Sequence, residues 1–437
     1  MSQNTETFSS LKYEQKESIG LLSIGTFLEY FDLMLYVHMA VYLNELFFPK
    51  YDAHTTSLLT ALTFCTPFVF RPFGAILFGW IGDNVGRRAT ITLTSFLMAG
   101  CCIVMSTVPT YAVLGYKASM YILICRVIQG MASMGEIIGA ELYVTETFKP
   151  PLQYAAVTLV AAFANLGTIV ALIVATLVTG YGFNWRYAFG FGILVAFVGS
   201  NARLRLRETP EFVNAKNRLK NNMTNGNIDN KEVKDTVFYK EKINKKTAFC
   251  LFLMDCGWPV AFYICYFYCA GILRDNFHYT PAEIIQHNFF IALVNLLERF
   301  ALTYFSYKIY PLKILKFKCW MFTLFIILTP YLLGNIGSPI QLMLLQCLII
   351  MFGCTTLPSV PIIYKHLPVF RRFTCASLTY AFASAVIYIV TSFGLIYCTE
   401  YAGHYGILAI VIPSVIAFMY GIKHFERLEK SVGDYPA

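Results

Sequence analysis

Long apolar runs separated by short polar turns recur along the whole chain, and this alternation predicts its elements. A helix needs about twenty residues to cross a hydrocarbon core about 30 Å thick. Twelve runs reach that length: 19–47, 58–80, 89–109, 118–145, 154–179, 187–206, 247–271, 284–307, 318–336, 340–364, 374–398 and 402–422. The stretch at 207–246 differs in kind. It carries Lys216-Asn217-Arg218-Leu219-Lys220 and a polar run at 221–230, a composition that cannot build a core. The expected fold is therefore an all-α integral membrane protein of twelve transmembrane helices in two six-helix halves. The halves cover 19–206 and 247–422, joined by a cytoplasmic linker at 207–246, part of it a surface helix, with short cytoplasmic tails at 1–18 and 423–437. The first eighteen residues show no basic start, short apolar region and small-residue cleavage site, so the first run is expected to remain as a span. The short last tail carries no long coiled coil, and regulation through such an extension is not expected.

Composition supports a lipid exterior. Of 437 residues, 57% are hydrophobic and 14% charged, against about 25% charged in a soluble chain. The net charge of +9 is not a nucleic-acid signal, because its bases are sorted by loop. With the termini on one side, that side holds 27 Lys and Arg, the other side holds 4, and 3 lie within spans. Lys and Arg concentrate on the cytoplasmic side of membrane proteins. A multi-pass membrane protein with both termini cytoplasmic is therefore expected. Thirteen cysteines, nearly all inside apolar runs, read as small buried hydrophobes. Neither a metal site nor a cofactor is expected, and no His/Asp/Ser constellation points to an enzyme.

Ionisable groups inside lipid are costly and mark functional sites or structural pairs. Glu29 and Asp32 sit at i and i+3 on one face of the first span. Two carboxylates that close favour retention of a proton on one of them; both could instead simply pair with Arg71 or a neighbouring helix. Arg71 precedes Pro72 in mid-span, where regular helix is disfavoured. Its guanidinium could neutralise Glu29 or Asp32, bind a substrate carboxylate in a fork, or form a buried ion pair. Arg126 and Gln129 share a face of span four, with Glu136 deeper as a further proton candidate or a structural residue. Gly130, Gly135 and Gly139 would let a neighbouring helix approach closely. In the second half, Asp255, Glu298 and Arg299 are the buried ionic candidates. Adjacent Glu298 and Arg299 point in different directions on a helix, so each is expected to need its own partner. Pro358 and Pro361 should distort span ten. Acids outnumber bases within the spans, which favours protons plus a zwitterion over a trivalent anion.

One stretch carries more than composition. Gly79-x-x-x-Asp83-x-x-Gly86-Arg87-Arg88 joins the second and third spans. Gly82 and Gly86 permit a tight turn, Asp83 can cap the first amides of span three, and Arg87 and Arg88 hold the segment at the cytoplasmic surface. This loop resembles the signature loop of major facilitator transporters. The chain also resembles their metabolite:proton symporter branch, which includes proline/betaine, α-ketoglutarate, citrate and shikimate carriers. Further motifs similar to that branch are Gly25-Thr26-Phe27-Leu28-Glu29-Tyr30-Phe31-Asp32, Phe70-Arg71-Pro72-Phe73-Gly74, Arg126-Val127-Ile128-Gln129-Gly130 with Gly135-Glu136, Glu208-Thr209-Pro210-Glu211-Phe212, and Ser377-Leu378-x-Tyr380. The loop between spans eight and nine, Lys308-Ile309-Tyr310-Pro311-Leu312-Lys313, keeps bases but lacks the acid and the Gly-Arg pattern, so its gate is expected to differ.

The resemblance implies a secondary transporter whose two halves rock about a central site, with the signature loop latching them on the cytoplasmic side. The expected proton-coupling residues are Glu29, Asp32 and Glu136. The expected substrate-binding residues are Tyr30, Tyr36, Arg71, Arg126, Gln129 and Tyr380. The gate residues are Gly79, Asp83, Gly86, Arg87 and Arg88. The expected partners are a small solute, protons and the lipid bilayer, with no nucleic acid and no obligate protein partner. The expected activity is proton-coupled uptake of a proline- or betaine-like zwitterion. The alternatives are symport of a di- or tricarboxylate, and a non-transporting solute sensor on the same scaffold.

Overall fold

The structure, a computed structural model, describes residues 13–49, 53–204, 206–226 and 242–436. Within them all regular structure is helical. The first half contains span one (Tyr13–Phe47), two (Ala53–Asn84), three (Arg87–Thr107), four (Tyr116–Thr147), five (Leu152–Tyr181) and six (Trp185–Arg203). A linker helix, Pro210–Gly226, follows; the rest of the expected connector, 227–241, lies outside the described residues, as do 1–12 of the expected first tail. In the second half, span seven runs from Lys245–Asp255 through Gly257–Tyr263 and a π turn at Ile264–Tyr268 to Cys269–Phe277. Spans eight (Pro281–Lys308) and nine (Pro311–Gly334) are continuous helices, and span ten is Pro339–Phe352 followed by Val360–Tyr364. Span eleven joins Arg372–Ile389, a π turn at Val390–Gly394 and Leu395–Ala402, and span twelve is Gly406–Val432.

Eight of the described helices are long and apolar enough to cross a membrane unaided. Span ten is an exception: its first helix has 14 residues, the chain turns extended at Gly353 with ψ 141°, and helix resumes only at Val360. Span twelve continues well past the expected boundary at 422, because Ile422, Phe425 and Glu429 keep a buried face at helical spacing.

Span two shows how an almost wholly apolar helix still has an inside and an outside. Phe73, Ile76, Leu77 and Trp80, spaced i, i+3, i+4 and i+7, are exposed, whereas Arg71, Ala75 and Phe78 are buried. The exposed stripe faces where lipid would lie, and the buried one carries the only polar group of the set. A side chain at Gly74 would strike the backbone of Met131, and one at Gly130 the backbone of Pro67. These two glycines let spans two and four touch backbone to backbone. Gly135 and Gly139 instead accommodate Thr94 and Ile91 of span three. Span one packs on five, and three packs on four and six. The halves meet through span two against eleven and span five against eight.

Candidate functional site

Two polar assemblies lie between the halves. The first is a cluster at the end of span two, where the signature loop lies. Here the structure corrects the expected role of Asp83. Its carboxylate accepts from the backbone N–H groups of Phe373 and Thr374 at 3.0 and 2.9 Å. It therefore caps the start of span eleven, in the other half, rather than span three. Span three is capped by Glu208, which accepts from the amides of Arg87 and Arg88 at 3.0 and 3.3 Å. The reason is geometric: helical structure continues through Asn84, which aims Asp83 across the interface while the linker brings Glu208 over Arg87. Burial pushes the Glu208 carboxyl above its ordinary value, and the amides of Thr209, Arg87 and Arg88 pull it back.

Arg87 is fully buried rather than a surface anchor. It grips Glu146 with two nitrogens at 3.0 and 2.8 Å, the fork-to-carboxylate geometry of strong ion pairs. It also donates to the carbonyls of Gly82 and Val369 at 2.7 and 2.8 Å and stacks on Phe212. Arg372 of span eleven reaches the same Glu146 at 3.2 Å and Glu211 at 3.0 Å. Arg88 is exposed and donates to the Leu204 carbonyl at 2.7 Å. Gly79 and Gly82 serve close approach: a Cβ on Gly79 would lie 2.8 Å from Thr374 Cα, and one on Gly82 would enter the Phe373 ring. Gly82 is thus helical and not part of a turn. Gly86 does make the turn, at φ 143°, and a side chain there would overlap the Glu208 carboxylate.

The second assembly is a cavity of about 140 Å³ in the middle of the molecule. Its charged lining comes from both halves: Arg71 and Glu141 from the first, Asp255 and Arg299 from the second. Its aromatic walls include Tyr30, Phe68, Trp258, Phe262, Tyr380 and Tyr388. Asp255 ends the first helix of broken span seven, and Tyr266 of the π turn also lines the cavity. Such π turns often mark functional positions. Arg71 donates Nε to Ser133 Oγ at 3.3 Å, with its guanidinium 4.7 Å from the centre of the Phe68 ring and 5.6 Å from that of Tyr380. Arg299 lies 5.0 Å from the centre of the Trp258 ring and contacts Glu298 at 3.5 Å. The adjacent Glu298 and Arg299 therefore do reach each other, contrary to expectation, because long side chains bend round the helix. Glu298 also pairs with Lys318, a buried lysine of span nine.

Of the expected site residues, the structure brings Tyr30, Arg71 and Tyr380 to the cavity. Glu29 is buried one residue before Tyr30 and within electrostatic reach of Tyr380. Asp32, Gln129, Arg126 and Tyr36 form a separate buried relay. Asp32 accepts from Gln129 and from the Cys102 thiol. Arg126 donates to Gln129 Oε1 at 3.0 Å and stacks 4.1 Å from the Tyr36 ring centre. Glu136 points elsewhere, accepting from Thr94 and Ser95 of span three at 3.0 and 2.6 Å. Sequence reasoning missed Glu141 and Glu146. Glu141 lies inside the expected span 118–145, so the rule that singled out Glu136 applied to it equally. Glu146 lies just past that boundary.

Residues 22–395 match the Major Facilitator Superfamily. The chain belongs to that superfamily. Its helices have the arrangement of that superfamily. Over 276 residues it is 28% identical to proteins named proline/betaine transporter from Salmonella typhimurium and Escherichia coli, which covers 61% of this chain and 54% of each relative. The chain thus spans about half the length of the curated relatives it matches. Among solved structures, the proton:xylose symporter XylE superposes with a TM-score of 0.76 at 10% identity, over 94% of this chain and 95% of that one. The human organic anion transporter MFSD10 gives 0.67 at 15%, over 95% and 100%. At these identities the likeness is one of fold: twelve helices in two halves.

Proposed function

We propose that this major facilitator protein carries out proton-coupled uptake of a small zwitterion of the proline or betaine kind across a bacterial inner membrane. The observation that supports the reading is the cavity's mixed charge. Arg71 faces it from one half, and the acids Glu141 and Asp255 face it from the two halves. A carboxylate at Arg71 and an ammonium at the acids would satisfy both signs at once. A dicarboxylate would leave the acids opposed to a second negative group. The aromatic walls add an attraction for a cationic nitrogen, because ring faces draw ammonium groups, by about 0.5–2 kcal/mol each. Transport then proceeds by alternating access, the latch opening and closing the cytoplasmic side. The names of the relatives point the same way.

Uptake of labelled proline, betaine and α-ketoglutarate into proteoliposomes, with and without an inward proton gradient, tests this. Accumulation of proline or betaine that collapses with an uncoupler is expected. Gradient-driven uptake of α-ketoglutarate alone would replace the zwitterion with a dicarboxylate. Binding without flux would make the protein a sensor.

A further inference from the structure

We propose that Glu141 of span four and Asp255 of span seven hold one shared proton between the two halves, and that its gain and loss follow closure and opening of the cytoplasmic side. This rests on the proton-coupled reading above and names the groups that carry it. Both acids face the central cavity, and each belongs to a different half. Asp255 lies within electrostatic reach of Glu141. Their polar neighbours are neutral: Tyr364 Oη donates to Glu141 Oε2 at 2.8 Å, and Thr379 lies beside Asp255. Among the described residues neither carboxylate makes an ion pair. Arg71 bonds Ser133, and Arg299 contacts Glu298.

The other groups facing the pair do not supply the missing charge. From span one come Tyr30 and the buried acid Glu29; from span eleven, Tyr380 and Cys375; from span ten, Tyr364. Cys256 follows Asp255 on its own span. Two half-buried carboxylates that line one cavity within electrostatic reach of each other, neither in an ion pair, do not both stay ionised. One proton binds a carboxylate oxygen of either residue, converting it to the neutral acid, and the other residue stays negative. When the halves separate on the cytoplasmic side, span four and span seven part, the repulsion between the two groups falls, and the proton leaves to the entering water. The remaining single negative charge, opposite Arg71, is what a zwitterion's ammonium would meet. Glu141 also links the two halves directly, because Tyr364 of the second half donates to it.

Infrared spectroscopy of the purified chain in lipid, titrated from about pH 9 to about pH 6, tests this through the carbonyl stretch of a protonated carboxyl. The expected result is a band that grows over this range and is lost whole in E141Q and equally in D255N, with D255E restoring it. A band that survives both variants, a band of which each variant removes a separate part, or no band at all would overturn the proposal. The titration needs no solute. A chain that shows the shared band yet takes up neither proline nor betaine overturns only the functional reading. A chain with gradient-driven uptake and no such band overturns only this inference.

Discussion

The two halves of this protein solve the same problem, holding the ends of their helices together on the loop face, with different residues and different reach. In the first half the polar cluster is built on Asp83, Arg87 and Glu146, and it crosses to the second half. Asp83 bonds the amides of Phe373 and Thr374, Arg87 bonds the Val369 carbonyl, and Glu146 receives Arg372. In the second half the acid has moved to span twelve. Glu429 receives Tyr310 at 2.6 Å, Lys365 at 2.8 Å and His366 at 2.6 Å, and Lys365 also meets Asp434 at 2.9 Å. All of these partners lie in the second half, and the edge-on packing of the Tyr310 ring against Tyr154 is the aromatic contact from this cluster to the first. The lost signature at Lys308–Lys313 thus does not mean a lost cluster. It means that one cluster joins halves while the other braces a single half.

That contrast can be broken most severely at Asp83. Hydrogen bonds to a charged group contribute about 1.5–3 kcal/mol, so D83A should shift the balance from closed to open by roughly ten- to hundredfold. Steady-state uptake should fall by a similar factor, with the melting temperature little changed. At Arg87, R87K keeps the charge but loses the fork that holds Glu146 and the reach to Val369. The expected fall in uptake is smaller, about tenfold, and R87K with D83A should lose less than the product of the two effects because both act on one interface. Removing Glu429 addresses the other cluster: E429A leaves Tyr310, Lys365 and His366 without their shared acceptor. It should lower the melting temperature while leaving uptake per folded molecule within about twofold. An E429A uptake loss as large as that of D83A would erase the distinction between the clusters. The smallest effect belongs to Glu208. E208A removes the cap of span three and should cost about 0.5–2 kcal/mol of stability, read by thermal unfolding in lipid. Because burial raises the Glu208 carboxyl, the folded state binds its proton more readily than the unfolded one. Stability from this residue therefore grows as pH falls through the raised value, and E208A should flatten that part of the curve.

The sequence made the architecture legible because its information is periodic and redundant. Run lengths, base placement and the linker all point to the same twelve spans. The latch was legible as a motif but not as a set of bonds. Asp83 reads as the cap of the helix that follows it, since local capping is the rule; its actual partner, the start of span eleven, is 290 residues away. The cavity was partly legible: Arg71, Tyr30 and Tyr380 were singled out, whereas Arg126 and Gln129 carry the same intramembrane signal and lie in a separate relay. Lys318 illustrates the limit in the opposite direction. It opens the ninth apolar run with no partner legible in the sequence, and only packing against span eight pairs it with Glu298.

During transport the contact between span two and span eleven is expected to open and close while the second-half cluster stays together. Electron–electron distance measurements between spin labels at V85C and K423C, one exposed position in each half on the loop face, test it in lipid. One short distance is expected for the unliganded chain, a longer population when proline or betaine is added at acidic pH, and a predominantly longer distance in D83A without any solute. A single unchanged distance under all three conditions would contradict it.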